Sequence, residues 1–173
     1  MPLVIGGHRD RIAGLLQALP PAVREDCAGS FTADPHTLTP ARVRELASPV
    51  IEGWVARRER ELAGEILGEA PGRLAEVGLP ACLAAVNEAA VARLLVAHEG
   101  MIPGFACGRC GALSTGSDEC PDGDTAARAV PDLLEEMMQR ALDGDGQVTV
   151  IRDAPFIIAA KLRFPVTTEG SRR

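Results

Sequence analysis

Residues 77–96 read VGLPACLAAVNEAAVARLLV, and the two ends of this stretch carry different patterns. Leu79-Pro80 opens a helix, because a proline in the first turn gives up an N–H that would have no partner there. Leu83, Val86 and Ala90 then recur on one face, which carries the helix to about Ala90. Ala92 to Ala97, with Leu94, Leu95 and Val96 inside it, is too short for a helix and reads as a buried strand. A helix passing straight into a buried strand is the repeating element of an α/β fold.

Working outward, the same alternation continues on both sides. Gly100 to Thr125 is rich in Gly, Cys, Ser and Asp and shows no period, so residues 100–125 form an insertion or long loop. Pro131 starts a helix with Leu133, Leu134, Met137, Met138 and Leu142 apolar, and Gly144 ends it. Gln147–Ile151 and Phe156–Phe164 are two further strands. Toward the N-terminus, Leu3-Val4-Ile5 is a short buried strand stopped by Gly6-Gly7. A helix follows from Arg9 to Leu19 and is ended by Pro20-Pro21. Ala22 to Phe31 has a weaker strand pattern, and Thr32 to Thr39 is a polar loop.

Thr39-Pro40 marks a helix start, an N-cap hydroxyl followed by proline at the first helical position. Val43, Leu46, Val50, Trp54, Val55, Leu62 and Ile66 keep the helical period to about Glu69, a helix roughly 45 Å long at 1.5 Å per residue. Pro49 inside it predicts a kink or a break. Two strands and one helix cannot close a core. Residues 1–52 are therefore expected to be the incomplete end of one α/β unit plus a linking helix, and residues 53–173 a complete unit. The first stretch is expected either to be trimmed or to pack on something else, as the tail of a longer protein would.

Composition bounds the function. Of 173 residues, 46% are hydrophobic and 24% charged, as in ordinary globular proteins. No apolar run approaches the roughly 18 to 20 residues of a membrane helix, so no membrane partner is expected. The net charge of −6 speaks against a dedicated duplex binder, whose affinity rests on clustered Lys and Arg. Five aromatic residues, none of them tyrosine, leave little for stacking single strands. Twenty-seven alanines, and seventeen arginines against one lysine, point to a GC-rich genome. Five cysteines, an odd number, fit a reducing and hence cytoplasmic compartment better than a disulfide framework.

The sharpest local motif is Cys107-Gly108-Arg109-Cys110 followed by Cys120-Pro121-Asp122-Gly123. Two facing Cys-x-x-Cys turns hold one tetrahedral zinc, because each turn aims two thiolates at the ion. Here Gly123 stands where a fourth cysteine would be. Either Asp118, Asp122, Asp124 or His98 completes a zinc site with Cys107, Cys110 and Cys120, or the knuckle is degenerate and binds no metal. Gly6-Gly7-His8 lacks the spaced glycines and the lysine of a phosphate cradle. His8, His36 and His98 stand apart, and no serine or cysteine has a base partner near it in sequence, so no catalytic residue is assigned. Arg57, Arg58 and Arg60 beside Glu52, Glu59, Glu61 and Glu65 read as a solvated helix face.

Val77–Val96, the cysteine insertion after it, and Ile158-Ala159-Ala160-Lys161-Leu162-Arg163-Phe164 in order resemble the C-terminal domain of the archaeal and eukaryotic class-1 peptide chain release factors and Pelota. In that family a small zinc-knuckle insertion follows the strand, and an Ile-Ala-Ala-x-Leu-Arg-Phe/Tyr signature ends the domain. The resemblance implies a three-layer α/β/α sandwich related to the kink-turn-binding ribosomal proteins. Residues 1–52 would then close a central release-factor-like domain, and 53–173 would be the C-terminal domain. It further implies a cytoplasmic parent that enters the ribosome and a domain that docks a translational GTPase. Bacterial relatives include the Balon-like hibernation factors, and the Arg/Ala-rich composition suits an actinobacterium.

On this resemblance the chain is a non-catalytic docking domain of a factor for hibernating or stalled ribosomes. Partner contacts are expected on the Phe156–Phe164 strand edge, the 131–144 helix and the insertion, through Phe156, Arg163, Phe164 and Arg109. Two rivals remain open. The parent could hydrolyse peptidyl-tRNA through a Gly-Gly-Gln loop upstream, or the domain could bind kink-turn RNA. Any RNA contact would otherwise come through the full-length protein.

Overall fold

The computed structural model describes residues 2–69, 73–97, 99–116, 127–152 and 154–166, which divide into two units, Met1–Glu59 and Arg60–Arg173. In the first, strand β1 (Leu3–Gly7) is followed by helices α1 (Arg9–Ala18) and α2 (Pro21–Glu25) and by strand β2 (Cys27–Thr32). The two strands pair in parallel, from Leu3 opposite Cys27 to Gly7 opposite Thr32. Gly6 and Gly7 lie inside β1 and do not cut it short. Gly6 faces Phe31, and a Cβ there would run into the Phe31 ring. Glycine thus serves as a flat seat for an aromatic neighbour.

Pro20-Pro21 ends α1 as expected, but Pro21 also opens α2, a helix that a strand pattern over Ala22–Phe31 conceals. Of the apolar stripe on α1 only Ile12 is buried, and Leu15 is 49% exposed. Helix α3 (Pro40–Leu67) is 28 residues long. Thr39 caps it: its Oγ1 accepts from the Arg42 N–H at 3.3 Å and its carbonyl from the Val43 N–H at 3.0 Å. The helix is not broken at Pro49, since one missing N–H removes a single bond from a ladder intact on either side.

The second unit is built on a four-stranded mixed sheet in the order β3-β9-β4-β8. These strands are β3 (Ala75–Val77), β4 (Val91–Val96), β8 (Gln147–Val150) and β9 (Ile158–Leu162). Strand β9 runs antiparallel to both β3 and β4, whereas β4 and β8 are parallel. The chain reaches β8 from β4 through helix α5 (Leu133–Asp143), the crossover that a parallel pair requires. Helix α4 (Leu79–Asn87) precedes β4, with Gly78 at its N-cap at φ +93°, a conformation that costs a residue with a Cβ.

Strand alternation divides the side chains between two cores. On one face Leu94 of β4 and Ile158, Ala160 and Leu162 of β9 pack with Cys82, Leu83 and Val86 of α4 and with Leu133, Leu134 and Met137 of α5. On the other face Leu95 and Ala159 pack with Leu62, Ala63 and Ile66 from the last turns of α3, and with Ile151 and Phe156. The sheet is thus sandwiched between helices, giving the three-layer α/β/α arrangement. The same alternation turns Arg93 and Lys161 toward the α3 face, where Glu65 lies 4.0 Å from Arg93 and Glu69 lies 3.6 Å from Lys161.

Two elements of this unit carry no readable period. Strand β3 is three residues long, and Ala75 and Glu76 are buried. The expected unstructured insertion contains strands β5 (Gly104–Cys107) and β6 (Leu113–Ser114), and β7 (Ala127–Val130) follows it. They form a second, antiparallel sheet in the order β6-β5-β7.

Candidate functional site

The insertion sheet is fixed to the three-layer body first by three side chains, Asn87, Asp132 and Arg140. Asn87, the last residue of α4, donates from Nδ2 to the Leu113 carbonyl and accepts the Leu113 N–H at Oδ1, both at 2.8 Å. One side-chain amide thereby takes the place that a strand residue would fill beside β6. Asp132 caps α5 by accepting the Leu134 N–H at 3.0 Å, and the same oxygen accepts the Ile102 N–H at 3.4 Å, at the entry to the insertion. Arg140 of α5 donates to the carbonyl of Gly111. Ala106, Leu113 and Val130 complete the attachment by joining the α4–α5 core. Gly104 is small of necessity, since a Cβ there would meet Leu133 Cδ1 and the Ser114 carbonyl at 2.9 Å.

The Cys-x-x-Cys turn hangs from this frame. The Gly111 N–H donates to the Cys107 carbonyl at 2.9 Å and the Cys107 N–H to the Ala112 carbonyl at 2.8 Å, which closes Cys107–Gly111 into a tight loop. Gly111 sits at φ +74°, where a side chain would be strained, so this glycine is needed for the turn itself. Cys107 is buried at the end of β5, while Arg109 and Cys110 are exposed at the tip. A closed structural zinc site takes four ligands. Cys107 and Cys110 supply two, and among the described residues no three His, Cys, Asp or Glu side chains gather. Cys120, His98, Asp118, Asp122 and Asp124 lie outside the described residues.

Beside the insertion the start of α5 is acidic. Pro131, Asp132, Glu135, Glu136 and Gln139 line a shallow cleft of about 300 Å³. Carboxylates in a first helical turn complement the positive end of the helix dipole. Glu136 also pairs with Arg128 of β7 at 3.2 Å, a further tie between the helix and the insertion sheet.

The other expected contact residues do not form one surface. Strand β9 is not an edge: β3 covers one side of it and β4 the other. The expected Phe156–Phe164 strand edge is therefore corrected, because β3, hidden between Pro71-Gly72 and Gly78, supplies the missing neighbour. Phe156 is only 9% exposed and packs in the α3-side core. Arg163 is exposed; its N–H donates to the Ala90 carbonyl at 2.7 Å and its guanidinium to the Gly144 carbonyl at 2.6 Å, behind α5. Phe164 follows it and is 47% exposed.

Elsewhere, Cys82 is wholly buried with its Sγ 3.6 Å from the Glu76 carbonyl oxygen. Burial, reinforced by the Glu76 carboxylate, pushes its thiol up from 9.0 to about 12, which makes it a poor nucleophile. Asn87 has no local sequence signature as a clamp, because its partner lies 26 residues further on. Among the described residues no helix is long and apolar enough to cross a membrane.

With the architecture in place, comparison with solved structures identifies its type. The C-terminal domain of a peptide chain release factor from Methanosarcina mazei superposes with a TM-score of 0.51 at 16% identity, over 75% of this chain and 98% of that one. Archaeoglobus fulgidus Pelota gives 0.51 at 17% identity, covering 96% of this chain and 50% of its own. Archaeal Pelota in a model of the ribosome-bound protein with ABCE1 gives 0.54 at 18% identity, over 95% of this chain and 43% of that one. The chain thus spans about half the length of the Pelota chains it matches. No protein-family model and no curated protein sequence matches it. The fold is that of the release-factor C-terminal domain.

Proposed function

We propose that this chain is the docking portion of a release-factor-like translation factor, acting on hibernating or stalled ribosomes, with no catalytic residue of its own. The observation that carries this reading is the match of 75% of this chain to 98% of a solved release-factor C-terminal domain. The coverage of Pelota by 95–96% of this chain supports assigning residues 1–52 to the end of a central domain of the same kind. The ribosome-bound state of archaeal Pelota, described together with ABCE1, supports the ribosome as the larger partner.

A translational GTPase is the protein partner this reading assigns. It would contact the exposed insertion tip around Arg109 and the acidic start of α5, with Arg163 and Phe164 offering a separate contact at the other end of α5. A protein-docking role also accommodates the net charge of −6, because such a domain need not grip phosphates itself. Zinc held by Cys107, Cys110 and Cys120 would stiffen the insertion. Elemental analysis of the purified chain and of Cys110→Ser decides between a metal knuckle, with zinc lost in the variant, and a degenerate one, with no zinc in either.

The decisive experiment is sedimentation of the tagged full-length protein through sucrose gradients from growing and starved cells. Co-migration with ribosomal particles, enriched on starvation, is the expected result. Its absence from those fractions under both conditions overturns the proposal. Reading the native frame upstream of Met1 for a Gly-Gly-Gln loop separates a hydrolytic parent from a purely docking one.

A further inference from the structure

The two borders of the main sheet are protected unequally. Strand β3 is three residues long and carries the charged Glu76, features that discourage a strand from pairing with a stranger. Strand β8 reads Gln147-Val148-Thr149-Val150, with no charge, proline, glycine or bulge, and three of its four residues are β-branched. Val150 is 64% exposed.

The backbone of β8 is equally open. The Ile151 N–H donates to the Val96 carbonyl at 2.9 Å, so the alternating residues 147, 149 and 151 bond toward β4. The N–H and C=O groups of Val148 and Val150 therefore point to the other side, where the order of the sheet places no further strand among the described residues.

We propose that this border pairs with the same border of a second copy of the chain, antiparallel about a two-fold axis through Thr149. That register sets Val148 of one copy opposite Val150 of the other, twice, and satisfies the outward backbone groups of both. It also sets Thr149 against Thr149 and extends the apolar row Leu94–Val148 across the axis. The flanking charges fit this orientation. Asp143 and Asp145 precede the strand, at an end where Arg93 also bonds Gln147 and Arg163 bonds the Gly144 carbonyl, and Arg152 follows it. The two carboxylates of one copy thus come to the end of the strand where the other copy carries Arg152. A parallel arrangement would instead crowd Asp145 against Asp145. The proposal is independent of the ribosomal role.

Sedimentation velocity of the full chain over a hundredfold range of concentration tests it. A reversible rise from the monomer mass toward twice that mass is expected. Val150→Lys should abolish the rise, whereas Val77→Lys at the opposite border should leave it unchanged. Arg152→Glu should weaken association by setting like charges together, and adding Asp145→Lys should restore it. Melting curves and far-ultraviolet circular dichroism confirm that each variant folds. A chain that stays monomeric throughout, or a dimer that ignores both Val150→Lys and Arg152→Glu, overturns the proposal.

Discussion

The two units solve the burial problem to very different degrees. Among the described residues of Met1–Glu59, Ile5, Ile12 and Ala28 are the buried apolar side chains, and Leu15, Val23, Val43 and Ile51 stay exposed. In Arg60–Arg173 a four-stranded sheet has a hydrophobic cluster on each face. The difference follows from strand number. Two strands cannot offer two covered faces, whereas four strands flanked by helices can. The first unit thus buries few apolar side chains and the second carries a core on each face of its sheet.

The largest test of this contrast is a pair of core truncations. Leu94→Ala or Met137→Ala should cost the second unit about 2–5 kcal/mol, the range for fully buried large side chains. Ile12→Ala should cost the first unit less than either, because few buried neighbours surround it. Urea unfolding separates the two, since Trp54, the single tryptophan, lies in the first unit and far-ultraviolet circular dichroism reports both. Equal losses from the two truncations would erase the distinction.

A smaller effect is expected where the insertion meets the body. Asn87→Ala leaves the Leu113 N–H and C=O without their clamp and should destabilise the insertion by about 1–3 kcal/mol. Hydrogen exchange at Leu113 should accelerate while amides of β4 stay protected; unchanged exchange at Leu113 would remove Asn87 from its assigned place.

Cys82 offers a pH probe of the second unit alone. Its folded pKa of about 12 lies above the unfolded 9.0, so the folded state holds this proton more tightly. Stability from this group is intact below pH 9 and falls as the pH climbs from 9 toward 12, because the unfolded chain releases the proton first. Chemical denaturation at pH 8 and pH 10.5 should show a loss in the native chain that is reduced in Cys82→Ala. The smallest effect belongs to the α3-side surface: Lys161→Ala should cost less than about 1 kcal/mol, since its partner Glu69 is 3.6 Å away and both are partly exposed.

Much of this contrast is legible in the residues. The helices α1, α3, α4 and α5 follow from apolar spacing and from proline and glycine punctuation. What escapes is short or long-range. Strand β3 has three residues, fewer than a period needs to declare itself. Strands β5 to β7 sit among Gly, Cys and Ser, and their pairing depends on partners such as Ala106 with Arg128, 22 positions apart. The knuckle turn is visible in the cysteine spacing, but Asn87 and Arg140 as its supports are not. Both look like ordinary helix residues until the fold brings Leu113 and Gly111 to them.

Those supports have a mechanical consequence. Asn87 closes the end of α4, Asp132 opens α5 and Arg140 stands in the last turns of α5, so a pull on the insertion is handed to these two helices. The load reaches β4 and β9 through Leu133, Met137 and Val86, side chains wedged between helix and sheet. A tug at Arg109 should thus be felt in the α4–α5 layer, to which hydrogen bonds, the Arg128–Glu136 pair and apolar packing all tie the insertion.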